Sequence, residues 1–162
     1  MTPHRVIEVL DPGQWRGHAA DHICLDYDDR HRRRLVLTAE HGTRFMLDFP
    51  ESRRLAGGSA LRLEDGRLVE VTAREEALLE VRATDAPALL RLAWHIGNRH
   101  LAAQVEADRI LIRRDHVIAE MLAGLGATVR ELDAPFDPEG GAYGGAHIPH
   151  GHHPGHGHAH GH

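Results

Sequence analysis

The sequence predicts an α+β protein: an N-terminal all-β domain, a smaller mixed domain after it, and a disordered histidine-rich tail. Three observations lead there. Short runs of alternating polar and apolar residues, separated by turn residues, fill roughly the first 72 positions. Strand patterns then alternate with two stretches of helical periodicity. The last sixteen residues, HIPHGHHPGHGHAHGH, are half histidine and carry no apolar pattern beyond Ile148.

In the β-rich region, 5–10 (RVIEVL) alternates polar and apolar and ends on the turn Asp11-Pro12-Gly13. Segments 33–38 and 43–48 are two short apolar runs joined by Ala39-Glu40-His41-Gly42, a hairpin signal. Segments 60–64 and 67–71 alternate strictly around Asp65-Gly66, a second and clearer hairpin. Strands at this spacing imply a small sandwich or barrel-like unit. The run His31-Arg32-Arg33-Arg34 reads as a solvated basic loop following Asp26, Asp28 and Asp29.

After Thr72 the pattern changes. Segment 76–82 (EALLEVR) reads as a strand. Asp85 is the N-cap of a helix with Pro87 in its first turn, and Leu89, Leu90, Leu92, Ala93 and Ile96 form its apolar face. Gly97 and Asn98 supply the stop and permit a positive-φ turn, which leaves His100 at the exposed start of the next segment. Two strands follow at 102–106 and 109–113. Asp115 then caps a second helix carrying Val117, Ile118, Met121, Leu122 and Leu125, ended by Gly124 or Gly126. A last strand occupies 128–132. The order β-α-β-β-α-β is ferredoxin-like. The domains expected are 1–72, 73–136 and a Gly/His-rich tail over 137–162, which begins as a flexible linker, EGGAYGG.

Composition narrows the function. Hydrophobic residues make up 41% and aromatics 4%, so the core must rest on Leu, Val, Ile and Ala. A net charge of -5 argues against nucleic acid as a partner, and the strands ALLEVRA and RILIRR lack the exposed aromatics that base stacking needs. Cys24 is the only cysteine, so an intrachain disulfide and a CxxC site are both impossible, which fits a reducing, cytoplasmic home. No apolar leader and no span-length apolar stretch is present, so no membrane association is expected. No HExxH, phosphate-cradling glycine loop or nucleophile constellation points to an enzyme.

What remains is imidazole. His147, His150, His152, His153, His156, His158, His160 and His162 offer borderline-soft nitrogen ligands on a pliable backbone, the composition of a metal-binding tail. Ni(II), Zn(II) and Cu(II) all suit such a set, and without fixed geometry affinity follows the Irving–Williams order. Binding requires neutral rings, so it weakens below about pH 6.5. Upstream of the tail, two further candidates stand out: His100 in WHIGNRH, and His116 after the capping Asp115. On the residues alone, each reads first as a plain surface histidine.

HIGNRH, followed sixteen residues later by the DH of RRDHVIAEMLAGLGATV and then by a histidine tail, resembles the urease accessory protein UreE family of nickel metallochaperones. The resemblance covers essentially the whole chain. It implies a homodimer in which His100 of each subunit shares one Ni(II) across the two-fold, with His116 at a more peripheral position. Some relatives place another histidine where this chain has Arg114, which removes one expected ligand. It also implies delivery of nickel through the urease accessory GTPase and the urease apoprotein–accessory complex. The N-terminal domain is expected to bind partners rather than the essential metal, which leaves His4, His18, His22, His31 and His41 as surface or structural residues. The competing reading is a general Ni/Zn/Cu store or buffer without a specific client.

Overall fold

The computed structural model describes residues 2–140. The tail histidines, and the disorder expected of them, lie outside the described residues.

Six strands build the N-terminal half: β1 (His4–Leu10), β2 (Asp21–Leu25), β3 (His31–Thr38), β4 (Arg44–Arg54), β5 (Ala60–Leu63) and β6 (Leu68–Ala73), with a one-turn helix α1 (Tyr27–Arg30) after β2. They form one sheet in the order β2-β6-β5-β1-β4-β3. Alternation along each strand turns one face inward, and Phe45, Leu47, Leu61, Leu63, Val69 and Val71 meet there fully buried. The sheet curls on this core until the β3–β4 turn reaches back to β2, where the Glu40 N–H donates to the His22 carbonyl at 3.0 Å.

β2 and α1 carry no strong local signal and were not foreseen. The basic run is a correction: His31 to Arg34 is not a loop but the start of β3, pairing with an extension of β4 that runs through Pro50 to Arg54. A register shift between Arg32 and Arg34 accommodates the run, and the arginine side chains stay exposed along the strand.

The C-terminal half contains β7 (Glu75–Arg82), α2 (Ala86–Asn98), β8 (Ala103–Val105), β9 (Ile110–Arg113), α3 (His116–Gly124) and β10 (Thr128–Pro135). Its sheet has the order β10-β7-β9-β8 with all neighbours antiparallel, the ferredoxin-like arrangement. Both helices pack on one face, where Leu92, Ile96 and Leu122 meet Leu79, Val81, Ile110 and Ile112. Burying each such side chain contributes about 1.5–3 kcal/mol. Asp85 caps α2 through the Ala88 N–H at 2.8 Å, and Asp115 caps α3 through Val117 and Ile118 at 2.9 and 3.1 Å, as the sequence predicts.

On the opposite face of this sheet Glu80 is buried among three arginines: Arg82 at 3.0 Å, Arg109 at 2.8 Å and Arg130 at 3.4 Å. Hydrogen bonds from Arg82 and Arg109, aided by the charge of Arg130 and opposed by burial, lower its pKa from 4.5 to about 2.

The two halves meet around Arg30, whose side chain is 0% exposed. Its guanidinium donates to the carbonyls of Leu25 and Leu55, each at 3.2 Å, and to that of Phe136 just beyond β10. Asp137 lies 3.9 Å away. Around this centre Phe136 packs with Leu78, Leu111 and Tyr27. Arg113 adds an ion pair to Asp28 at 2.8 Å and lies over the Tyr27 ring, and Arg54 reaches Asp137.

Arg30→Ala takes the guanidinium from the Leu55 and Phe136 carbonyls and leaves that of Leu25 with the Arg74 N–H alone, so it is expected to lower the unfolding free energy by about 3 kcal/mol in a denaturant titration. Because the folded pKa of Glu80 is depressed, its ionised form stabilises the fold above about pH 4.5, and that contribution is lost as pH falls towards 2. In urea unfolding at pH 5 and pH 3, Glu80→Gln is expected to be less stable at pH 5 and less sensitive to the change.

Candidate metal centre

Helix α2 does not stop where its glycine suggests. Gly97 and Asn98 remain helical, Arg99 is the C-cap, and the residue with positive φ is His100 itself, at +57°. This corrects the expectation that Gly97 or Asn98 takes the turn. The His100 N–H bonds to the Gly97 carbonyl at 3.0 Å and the Leu101 N–H to the Ile96 carbonyl at 3.4 Å, a Schellman ending. Leu101 then folds against the core beside Ile96. The second helix ends the same way, with Gly126 at φ +92° and bonds from Gly126 to Ala123 and from Ala127 to Leu122, each 3.0 Å. One fold unit thus uses the same helix terminator twice. Glycine fills the left-handed position once and histidine once, at a cost of about 1 kcal/mol for the side chain.

His100 is exposed and lines a cavity of about 340 Å³ with Ala102, Arg113, Arg114 and Asp115. It stands at the C-terminal, electronegative end of α2, which favours a cation. His116 is exposed in the first turn of α3 and faces a different hollow of about 580 Å³, with Glu120 and Glu131. Asp115 borders both. Arg114 is tied to β10, with Asp133 at 3.2 Å and the Leu132 carbonyl at 3.0 Å, so it anchors the approach to α3. His147, His150, His152, His153, His156, His158, His160 and His162 lie outside the described residues.

Among the described residues, neither His100 nor His116 belongs to a ready three-ligand cluster. One such group exists there, in the N-terminal half: Asp21, His22 and His41, whose ligand atoms all lie within 4.8 Å of one another. Asp21 is 1% exposed. Burial pushes its carboxyl up, but N–H bonds from His41 and His22, with bonds from Thr43, outweigh this and hold it far below the usual carboxylate range. Sequence reasoning set these histidines aside. The available signal was the dipeptide Asp-His, which occurs at 21–22 as well as at 115–116.

A curled β half, a ferredoxin-like half and an exposed imidazole in a strained helix ending define an α+β protein class whose distinctive chemistry lies in histidines. Two family profiles match the chain: UreE urease accessory protein, N-terminal domain, over residues 4–74, and UreE urease accessory protein, C-terminal domain, over 76–162. The chain belongs to the UreE urease accessory protein family. It is 58% identical over 139 residues to a urease accessory protein UreE of Bradyrhizobium sp. (strain ORS 278), covering 86% of this chain and 66% of that one. With the UreE of Chelativorans sp. (strain BNC1) it shares 57% over 143 residues, 88% of this chain and 90% of the relative. With that of Rhodobacter capsulatus it shares 52% over 157 residues, 96% and 97% respectively. The match thus spans just under two thirds of the Bradyrhizobium protein and nearly all of the Rhodobacter one. These relatives are named as accessory proteins, not as catalysts.

If His100 is held left-handed for its ring, glycine there relieves the backbone. His100→Gly is expected to raise the unfolding free energy by about 1 kcal/mol over His100→Ala in denaturant melts.

Proposed function

We propose that this protein is a cytoplasmic nickel carrier for urease maturation. It captures Ni(II) as a homodimer and passes it, through the urease accessory GTPase and the urease apoprotein–accessory complex, to the urease active site. The division of labour assigned is partner binding to 1–72, metal binding and dimerisation to 73–136, and metal feeding to the tail, 137–162. Family membership supports the urease role and the choice of nickel, since the ligands alone accept Zn(II) and Cu(II) as well.

The observation that carries the reading is the position of His100: exposed, strained, at a helix end, and outside any three-ligand cluster among the described residues. One imidazole does not hold a metal ion. A two-fold axis supplies a second copy of the same ring, and a two-nitrogen site completed by tail histidines captures an ion yet releases it. The surface of α2 supports such an axis. Leu90 and Trp94, one turn apart, are 71% and 63% exposed, an apolar stripe leading toward the helix end that bears His100. His116 is assigned a peripheral role, in exchange between the tail and the shared site.

The test is Ni(II) calorimetry with sedimentation on the full-length chain whose eight tail histidines are changed to asparagine. The expected result is a dimer that shows a distinct binding event of one nickel per two chains at the shared site, an event lost in His100→Ala while any other nickel binding remains. Trp94→Glu is expected to give monomers and to lose the same event. Nickel binding that His100→Ala leaves unchanged at one ion per two chains would contradict the assignment.

A further inference from the structure

The curl of the first sheet does more than enclose a core. Where the β3–β4 turn closes onto β2, it brings His41 and Glu40 beside Asp21 and His22, residues far apart in the chain. The His22 and His41 rings meet edge to face with centroids 5.0 Å apart. His22 Nε2 lies 2.8 Å from a Glu40 carboxylate oxygen, and His41 Nδ1 lies 3.5 Å from Asp21 Oδ1. We propose that Asp21, His22, Glu40 and His41 form a second site for a divalent transition metal, separate from His100 and independent of the carrier reading.

The backbone that carries these ligands is clamped. The buried Asp21 carboxylate accepts the N–H groups of His22 at 2.8 Å, His41 at 2.9 Å and Thr43 at 3.1 Å, and the Glu40 N–H bonds to the His22 carbonyl. Both ligand-bearing segments are therefore fixed to one buried anion, while the rings and Glu40 retain the freedom of half-exposed side chains. The same bonds hold the ligating Asp21 carboxylate in place and fix the backbone behind the two histidines, the preorganisation a metal site needs. The closure required is small: ligand atoms around a tetrahedral ion at bonds of about 2.0–2.1 Å stand about 3.4 Å apart. Asp21, His22 and His41 already fall within 4.8 Å, and rotation of the exposed rings covers the difference.

The chemistry is equally specific. Two imidazoles with carboxylates and no thiolate suit Zn(II), Ni(II) or Cu(II) and select against soft monovalent ions. Asp21 and Glu40 are joined by Glu70, which pairs with His22 in the β2–β6 register, so three carboxylates lie along the seam, while Arg44 and Arg67 line the hollow beside His41. A metal ion on His22 Nε2 takes the place of the hydrogen bond to Glu40, the neutral ring then carrying its single proton on Nδ1, and Glu40 becomes available as the fourth ligand.

The experiment uses the full-length chain with His100, His116 and the eight tail histidines changed to glutamine, which removes every ligand of the carrier reading. Calorimetry with Ni(II) and with Zn(II) is expected to find one ion per chain, and His22→Gln or His41→Gln to weaken binding at least tenfold. Glu40→Gln is expected to weaken it less. Circular dichroism reports whether each variant is folded. In the otherwise unaltered protein, Ni(II) is expected to broaden the imidazole resonances of His22 and His41, equally with and without His100→Ala. Sharp His22 and His41 resonances at saturating nickel would overturn the site and leave the cluster an ion pair. So would His41 broadening that persists unchanged in His22→Gln.

Discussion

The guanidinium of Arg30 is the contact on which the relation between the two halves depends. It is fully buried, and its donors are engaged by carbonyls at the end of β2, after β4 and after β10. A charge placed there is tolerable because those oxygens and the nearby Asp137 carboxylate surround it. A lysine presents a compact point charge without the planar fork that spans separated acceptors. The apolar seam of Tyr27, Phe136, Leu78 and Leu111 closes around the same point, which fixes the first sheet against the open face of the second. The helical face, with α2 and α3, is left free of the N-terminal half.

That freedom gives meaning to the helix endings. Gly126 and His100 occupy the same position in two copies of one terminator, and only His100 bears backbone strain to be there. The ring is thereby carried on a rigid turn rather than a pliable loop, with Leu101 pinned to the core behind it. A site shared between two subunits requires this rigidity, since each ring must arrive in register with its twin. The exposed Leu90 and Trp94 on the same helix supply the apolar surface that such a pairing would bury.

Local chemistry was readable along much of the chain. Strict alternation around Asp65-Gly66 located β5 and β6, and the caps Asp85 and Asp115 located both helices. The features that escaped depend on distant residues. Pro50 and the charges around it hide the extension of β4, so the arginine run reads as a loop until its pairing partner is known. Arg30 carries no sequence signal for burial, because its acceptors come from three separated segments. At the end of α2 the error was local: glycine at 97 attracted the positive φ by propensity, yet the packing of Leu101 beside Ile96 fixes the helix length and passes the turn to His100. His22 and His41 were set aside because only the curl of the sheet makes them neighbours.

The most direct measurement is a crystal structure of the nickel-loaded full chain with data collected at the nickel absorption edge. The expected result is an anomalous peak on a molecular two-fold, about 2.1 Å from an imidazole nitrogen of His100 in each of two subunits. Nickel bound elsewhere, with the His100 rings of neighbouring chains far apart and no peak between them, would contradict a shared carrier site.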